Sequence, residues 1–287
     1  MARDGAFSGT DLPGRKTKCI FCSNAANSRE HVLPAWAYTV EPDERFMIVR
    51  GGAGPRRTST SWLADSAAGG LKARVVCAAC NHGWMSGLEA NCKPVVAKLN
   101  AWGVVTLSFD EQRLLSRWAL KTAIVAEHVT SERRHHFLQA HRELFASRQD
   151  GLLSNTSVAV VAHRGIPRLS LGVTHFRLNL NPNSFGWTSL RALVVSFSVH
   201  NVGFQVLAWR NDESIPRPER APVVRFVAAG DWSRTELDLW PNKSLAGVTW
   251  SPTECLTHEL FGTGYHERWI KGAKLSTGGP AGAHSIS

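Results

Sequence analysis

Cys19 and Cys22 in "CIFCSNAANSREHVLPAW" and Cys77 and Cys80 in "VVCAACNHGWMSGLE" form two CxxC pairs with 54 residues between them. Each CxxC makes a tight turn that points both sulfurs at one ion. Four thiolates at about 2.3 Å suit tetrahedral Zn²⁺, and a closed four-sulfur site is structural rather than catalytic. A redox motif needs only one CxxC and leaves the other pair without a role. An ion held this way ties the stretch after Cys22 to the stretch after Cys80. Glu30 and His31 then come close to Asn81 despite their separation in sequence.

Those three residues carry the chemistry. Glu30 is a hard oxygen ligand suited to Mg²⁺ or Mn²⁺. His31 is a nitrogen base that titrates near neutrality. Asn81 follows Cys80 directly and offers an amide oxygen. A carboxylate and an amide on one small cation, with a base beside them, can hydrolyse a phosphodiester. The metal offsets charge on the phosphate and the leaving oxygen, while the base activates water. Two further candidates follow. Glu89 lies eight residues beyond Asn81, about 12 Å along a regular helix at 1.5 Å per residue. Direct ligation by both is then geometrically hard, so Glu89 is read as acting through water or capping a neighbouring structure. His82 is turned about 100° from Asn81 on a helix and reads as a phosphate contact or a surface residue. Arg29, Arg50, Arg56 and Arg57 are the candidate nucleic-acid contacts.

The combination CxxC, EHVLP, CxxCN resembles the zinc-containing branch of the HNH, or ββα-metal, endonuclease superfamily, especially phage endonuclease VII-type enzymes. The similarity spans about residues 19–90. It implies a β-hairpin and a helix gripping one divalent ion beside a structural zinc. By position, His31 matches the general base, Glu30 the first metal ligand, Asn81 the ligand after the last cysteine, and Pro34 a proline common after the histidine. DNA is the substrate the resemblance favours over RNA. The chain departs from the pattern twice. Glu30 stands where many members carry Asp, and "GGLKARVVC" holds no counterpart of the middle Asn that orients the base.

The elements that must position these residues follow from pattern and composition. The chain has 287 residues, a formal charge of +10 and a pI near 9.7. That balance suits a polyanionic partner, nucleic acid above all. No run of apolar residues is long enough for a membrane helix, and the polar N-terminus has no signal core, so the expectation is a cytoplasmic protein with reduced thiols. Cys92 and Cys255 read as small core residues, and the eleven tryptophans as packing residues. Residues 1–18 read as a disordered N-terminus. Residues 19–105 form the HNH-like zinc unit, with 50–70 as an exposed loop or hairpin insertion. Residues 106–150 form a helical segment. Ser108 and Glu111 have capping-box spacing, and the apolar period predicts a helix over about 110–128. A second helix over "SERRHHFLQAHRELFAS" carries His135, His136 and His141, which read as surface residues. Residues 151–270 are β-rich with a hairpin turn at "HNVG", and 271–287 form a flexible tail. The fold class is therefore α+β: a zinc-bound ββα-metal unit, a helical segment and a mainly antiparallel β region. That region is assigned substrate choice or assembly as a homodimer. The competing reading is a zinc-stabilised nucleic-acid-binding protein that cuts nothing.

Overall fold

A computed structural model of the chain describes residues 17–38, 45–52, 60–65, 71–101, 103–130, 135–147, 153, 155–164, 169–180, 188–211, 224–227, 236–240, 248–250, 256–257 and 274–277. Helices and largely antiparallel sheets make an α+β fold. Strand β1 (Ser28–His31) pairs antiparallel with β4 (Lys72–Val76). A helical run follows: α1 (Ala78–Cys80), one wide turn over Asn81–Met85, and α2 (Ser86–Asn100). The order is thus hairpin strand, hairpin strand, helix. Between β1 and β4, the strands β2 (Arg45–Gly52) and β3 (Thr60–Asp65) form an antiparallel hairpin. This is the expected insertion. Its strand β2 runs parallel to β7 (Leu169–Leu180) and so extends the large sheet.

That sheet has eight strands. It is built from β6 (Thr156–Arg164), β7, β8 (Thr188–Val199), β9 (Val202–Asn211) and β11 (Glu236–Trp240), with β13 (Leu256–Thr257) beside β6 and the insertion hairpin at the far edge. The strands β6, β9, β8 and β7 pair antiparallel, in line with the alternating Val, Phe and Leu of their sequences. The turn between β8 and β9 is His200–Asn201, and His200 takes a φ of 55°. Such a left-handed conformation is what a two-residue hairpin turn demands, and His is among the residues that tolerate it. The Asn201 N–H donates to Asn100 Oδ1 at 2.9 Å, latching the turn to the end of α2. Smaller pairs complete the described strands: β5 (Val105–Leu107) with β12 (Val248–Trp250), and β10 (Val224–Val227) with β14 (Lys274–Thr277). The last lies inside the stretch read as a tail.

Helix α3 (Phe109–Thr130) is the centre of the molecule. Nearly every residue from Leu115 to Glu127 is buried, as expected of a helix packed on all sides. Trp118 meets the sheet edge-on at Phe197 (5.4 Å) and Phe204 (5.0 Å) and stacks on Trp36 of the N-terminal unit (5.8 Å). Helix α4 (Gln139–Ser147) clamps the first CxxC turn, where Arg142 donates to the Ile20 carbonyl at 2.9 Å. The second expected helix is therefore shorter than its sequence suggests. The Glu127 carboxylate accepts the backbone N–H groups of His136 and Phe137. This pins that stretch outside a helix. His136 is accordingly buried, in contrast to the surface position its sequence suggests. Cys92 is buried, as expected, and its thiol donates to the Leu114 carbonyl. Arg56, Arg57 and Cys255 lie outside the described residues, and of Arg50 only the backbone, on β2, is described.

The capping box starts α3 as read. Ser108 N–H donates to Glu111 Oε2 at 2.7 Å, and Glu111 N–H donates to Ser108 Oγ at 3.2 Å. Lys98 adds a salt bridge at 3.1 Å. Partial burial raises the Glu111 carboxyl, but the Ser108 N–H and the Lys98 ammonium outweigh it and hold it below the usual range. Glu111→Ala should cost about 1 kcal/mol in chemical denaturation at neutral pH, as losing a cap does. The folded-state pKa is depressed, so the difference from the unsubstituted chain should shrink as pH falls through the acid range.

Candidate functional site

The four cysteines of the two CxxC pairs converge. Their sulfurs all lie within 4.8 Å of one another, with Cys22 to Cys77 at 3.5 Å and Cys22 to Cys80 at 3.7 Å. These are non-bonded separations, and the thiols are free. A tetrahedron of sulfurs at 2.3 Å from an ion has edges of about 3.8 Å, so the cluster has the size to hold a metal ion such as zinc. Backbone amides aim at the sulfurs: Phe21 N–H at Cys19 and Cys80 N–H at Cys77, both at 3.4 Å. Cys77 also caps α1, and Asn27 Oδ1 accepts the Ala78 N–H at 2.8 Å. Two otherwise orphaned helix donors are thereby satisfied. Burial pushes the Cys22 and Cys80 thiols up. Burial also raises Cys77, but the Cys80 N–H and the neighbouring thiols donate to its sulfur and bring it down to about 7. A dication bound there would replace the thiol protons.

The hairpin leaving this cluster has two chemically different faces. Its register sets His31 opposite Lys72 and Glu30 opposite Ala73, with a bulge between Ser28 and Glu30. Successive side chains on a strand point to opposite sides. Glu30 points inward and is buried, while His31 is half-buried on the outer side with its ring 6.2 Å from Tyr38. Inside, Lys121 Nζ of α3 lies 3.0 Å from Glu30 Oε1 and 2.5 Å from Glu89 Oε1. The lysine is fully buried. Burial pushes Lys121 down, but the two carboxylates outweigh it and hold the ammonium charged. Burial pushes the Glu30 carboxyl up, against the pull of that ammonium.

Outside, Arg29 and Lys72 are exposed and Arg74 is exposed on the same hairpin as His31. Asn81 packs against β1, where its amide donates to Ser28 Oγ at 2.8 Å and to the Arg29 carbonyl at 3.2 Å. His82 is exposed. Glu89 reaches the same ammonium as Glu30, and the run from Asn81 is not a regular helix. The Ser86 N–H donates to the carbonyl of Asn81, five residues back, and Gly83 departs from helical angles. The wide turn changes which side of the helix the residues after Met85 face.

The fold thus brings together Cys19, Cys22, Cys77 and Cys80, and sets Glu30, His31, Asn81 and Glu89 around one hairpin. Three residues that the sequence does not single out join them. Lys121 is 91 positions from Glu30, with no local signal beyond a lone lysine in an apolar helix. Lys72 and Arg74 alternate with Ala73 and Val75 in "LKARVV", a strand pattern that gives their common face.

Lys121→Met should destabilise the chain by about 3–5 kcal/mol, because it strands buried carboxylate charge. Adding Glu30→Gln to it should recover part of that loss. Denaturation of the single and double variants measures both, and equal stability of Lys121→Met and the unsubstituted chain would refute the ion triad. Compared with protein-family models, curated proteins and solved structures, the chain matches none.

Proposed function

We propose that the chain is an endonuclease that cleaves nucleic-acid phosphodiester bonds, DNA before RNA, with His31 as general base on a ββα unit held by a structural zinc on four cysteines. The observation that carries this reading is the outer face of the β1–β4 hairpin. There His31 stands across from Lys72, with Arg29 and Arg74 exposed on the same two strands. A row of cations beside an imidazole suits a phosphate backbone presented to a base. His31 takes the proton of a water molecule as its oxygen bonds to phosphorus, the P–O3′ bond breaks with its electron pair going to the 3′ oxygen, and that oxygen takes a proton from solvent. The neighbouring guanidinium and ammonium groups offset charge on the phosphoryl oxygens. The zinc supplies folding energy and takes no part in the reaction.

The resemblance implies Mg²⁺ or Mn²⁺ on Glu30 and Asn81. Glu30 Oε1 instead contacts the buried Lys121 ammonium, and the Asn81 amide donates to β1. In this arrangement these side chains do not fit a shared ion, and no step is drawn through one. The same observation favours a second reading, a zinc-stabilised nucleic-acid-binding protein without catalysis. A carboxylate locked in an ion triad is a structural anchor in either case.

Incubation with plasmid, with and without Mg²⁺ or Mn²⁺, decides between them. Cleavage abolished in His31→Ala at unchanged zinc content is the expected result. Equal background in both proteins, with DNA still retarded on gels, supports the binder. Replacing Lys72 and Arg74 by Ala should weaken DNA binding about equally for different sequences. It should also flatten the dependence of log K on log salt by roughly 0.9 for each phosphate no longer neutralised. An unchanged slope would remove this face from the interface.

A further inference from the structure

The proposed function leaves unused a second cluster, on the opposite end of α3. Glu127 is fully buried near the C-terminal end of that helix, and His128 follows it. His135 comes from the segment before α4, and its ring stacks on His128 with centroids 3.7 Å apart. One ligating atom from each of Glu127, His128 and His135 lies within 4.8 Å of the other two. His175 of β7 brings its Nε2 to 3.6 Å from Glu127 Oε1. Three separate elements therefore deliver imidazoles to one buried carboxylate.

Two features match what holds metal ligands in place. The His128 Nδ1 lies 3.1 Å from the Ile124 carbonyl. A proton there fixes the tautomer and leaves Nε2 with its lone pair, the usual support of a ligating imidazole. The Glu127 carboxylate is oriented by the backbone N–H groups of His136 and Phe137. A third feature points to a missing partner: His135 Nδ1 is buried and has no hydrogen-bond partner.

We propose that Glu127, His128 and His135 form a second metal site, for a borderline transition-metal dication of the zinc class, with His175 beside it at Glu127 Oε1. Imidazole and carboxylate donors select such ions over Mg²⁺ or Ca²⁺. Three protein donors leave the fourth position of a tetrahedral ion to solvent. The ion ties the end of α3 to the 135–137 segment. The rings of His128 and His135 are parallel to within 8°, whereas a shared ion lies in the plane of each ligating ring. Loading therefore turns one ring about its Cβ–Cγ bond, and His135, whose Nδ1 then gains a partner, is the ring to turn. Arg142 and Arg210 lie near enough to act on Glu127, so the carboxylate must take part for a dication to be held there. The proposal does not depend on the nuclease reading.

The test is metal stoichiometry of the tag-free full chain, reconstituted with Zn²⁺ and desalted, together with the absorption of its Co²⁺-substituted form. The expected result is about two equivalents of metal. One Co²⁺ should give the near-ultraviolet charge-transfer band of thiolate ligation, and the other only weak visible bands. His128→Gln and His135→Gln should each lose about one equivalent and the weak bands while keeping the thiolate band, which also reports that the chain is folded. A wild-type chain that retains one equivalent, all of it thiolate-bound, overturns the proposal. So does a second equivalent that survives both substitutions.

Discussion

Four sulfurs from two segments set the geometry of everything before α3. Strands β1 and β4 have only four and five residues, and a two-stranded sheet that short is marginal alone. An ion held by the cluster would close the long loop between them, whose ordering entropy grows only slowly with its length. The cluster also does local work at the strand ends. Ile20 N–H bonds to the Val75 carbonyl, and the Cys77 carbonyl accepts the Asn81 N–H. The same cysteine is sulfur donor, helix cap and strand terminus. Crowded thiols oppose one another's ionisation, so a cation among them would drive the fold and the deprotonation together.

A second constraint acts at the other end of the hairpin. Lys121 places a charge in the least solvated part of the molecule, which costs desolvation energy that its partners only offset. What it adds is direction. The ammonium can sit between Glu30 and Glu89 only if β1, α2 and α3 meet in one arrangement. Trp118, one turn earlier on α3, continues the link through Trp36 on one side and Phe197 and Phe204 on the other. The N-terminal unit and the large sheet are therefore coupled through a single helix. The insertion hairpin, by joining that sheet at β7, supplies a second connection.

Signals that depend on near neighbours are legible in the sequence. The CxxC turns, the Ser108–Glu111 box, the apolar period of α3 and the turn at His200–Asn201 each lie within a few residues, and each is found where its chemistry puts it. Signals that depend on burial from elsewhere are not. Lys121 looks like any helical lysine until two carboxylates from distant elements surround it. His136 looks like a surface residue until the Glu127 carboxylate captures its N–H and interrupts the expected helix. The wide turn over Asn81–Met85 changes the phase of the helix that follows, and nothing in "NHGWMSGLE" announces it.

Strand alternation gives the site its logic. Glu30 and His31 are adjacent, so one must face the triad and the other the solvent. A slip of register by one residue would exchange them, burying the imidazole against Lys121 and exposing the carboxylate among Arg29 and Lys72. Three contacts oppose that slip. The bulge between Ser28 and Glu30 fixes which residue turns inward. Val32 N–H is tied to the Leu71 carbonyl. The Asn81 amide bonds both the Ser28 hydroxyl and the Arg29 carbonyl. Asn81 thus bears on His31 through the backbone of β1. The sulfur cluster, four residues earlier at Cys77, is what carries Asn81 to that strand.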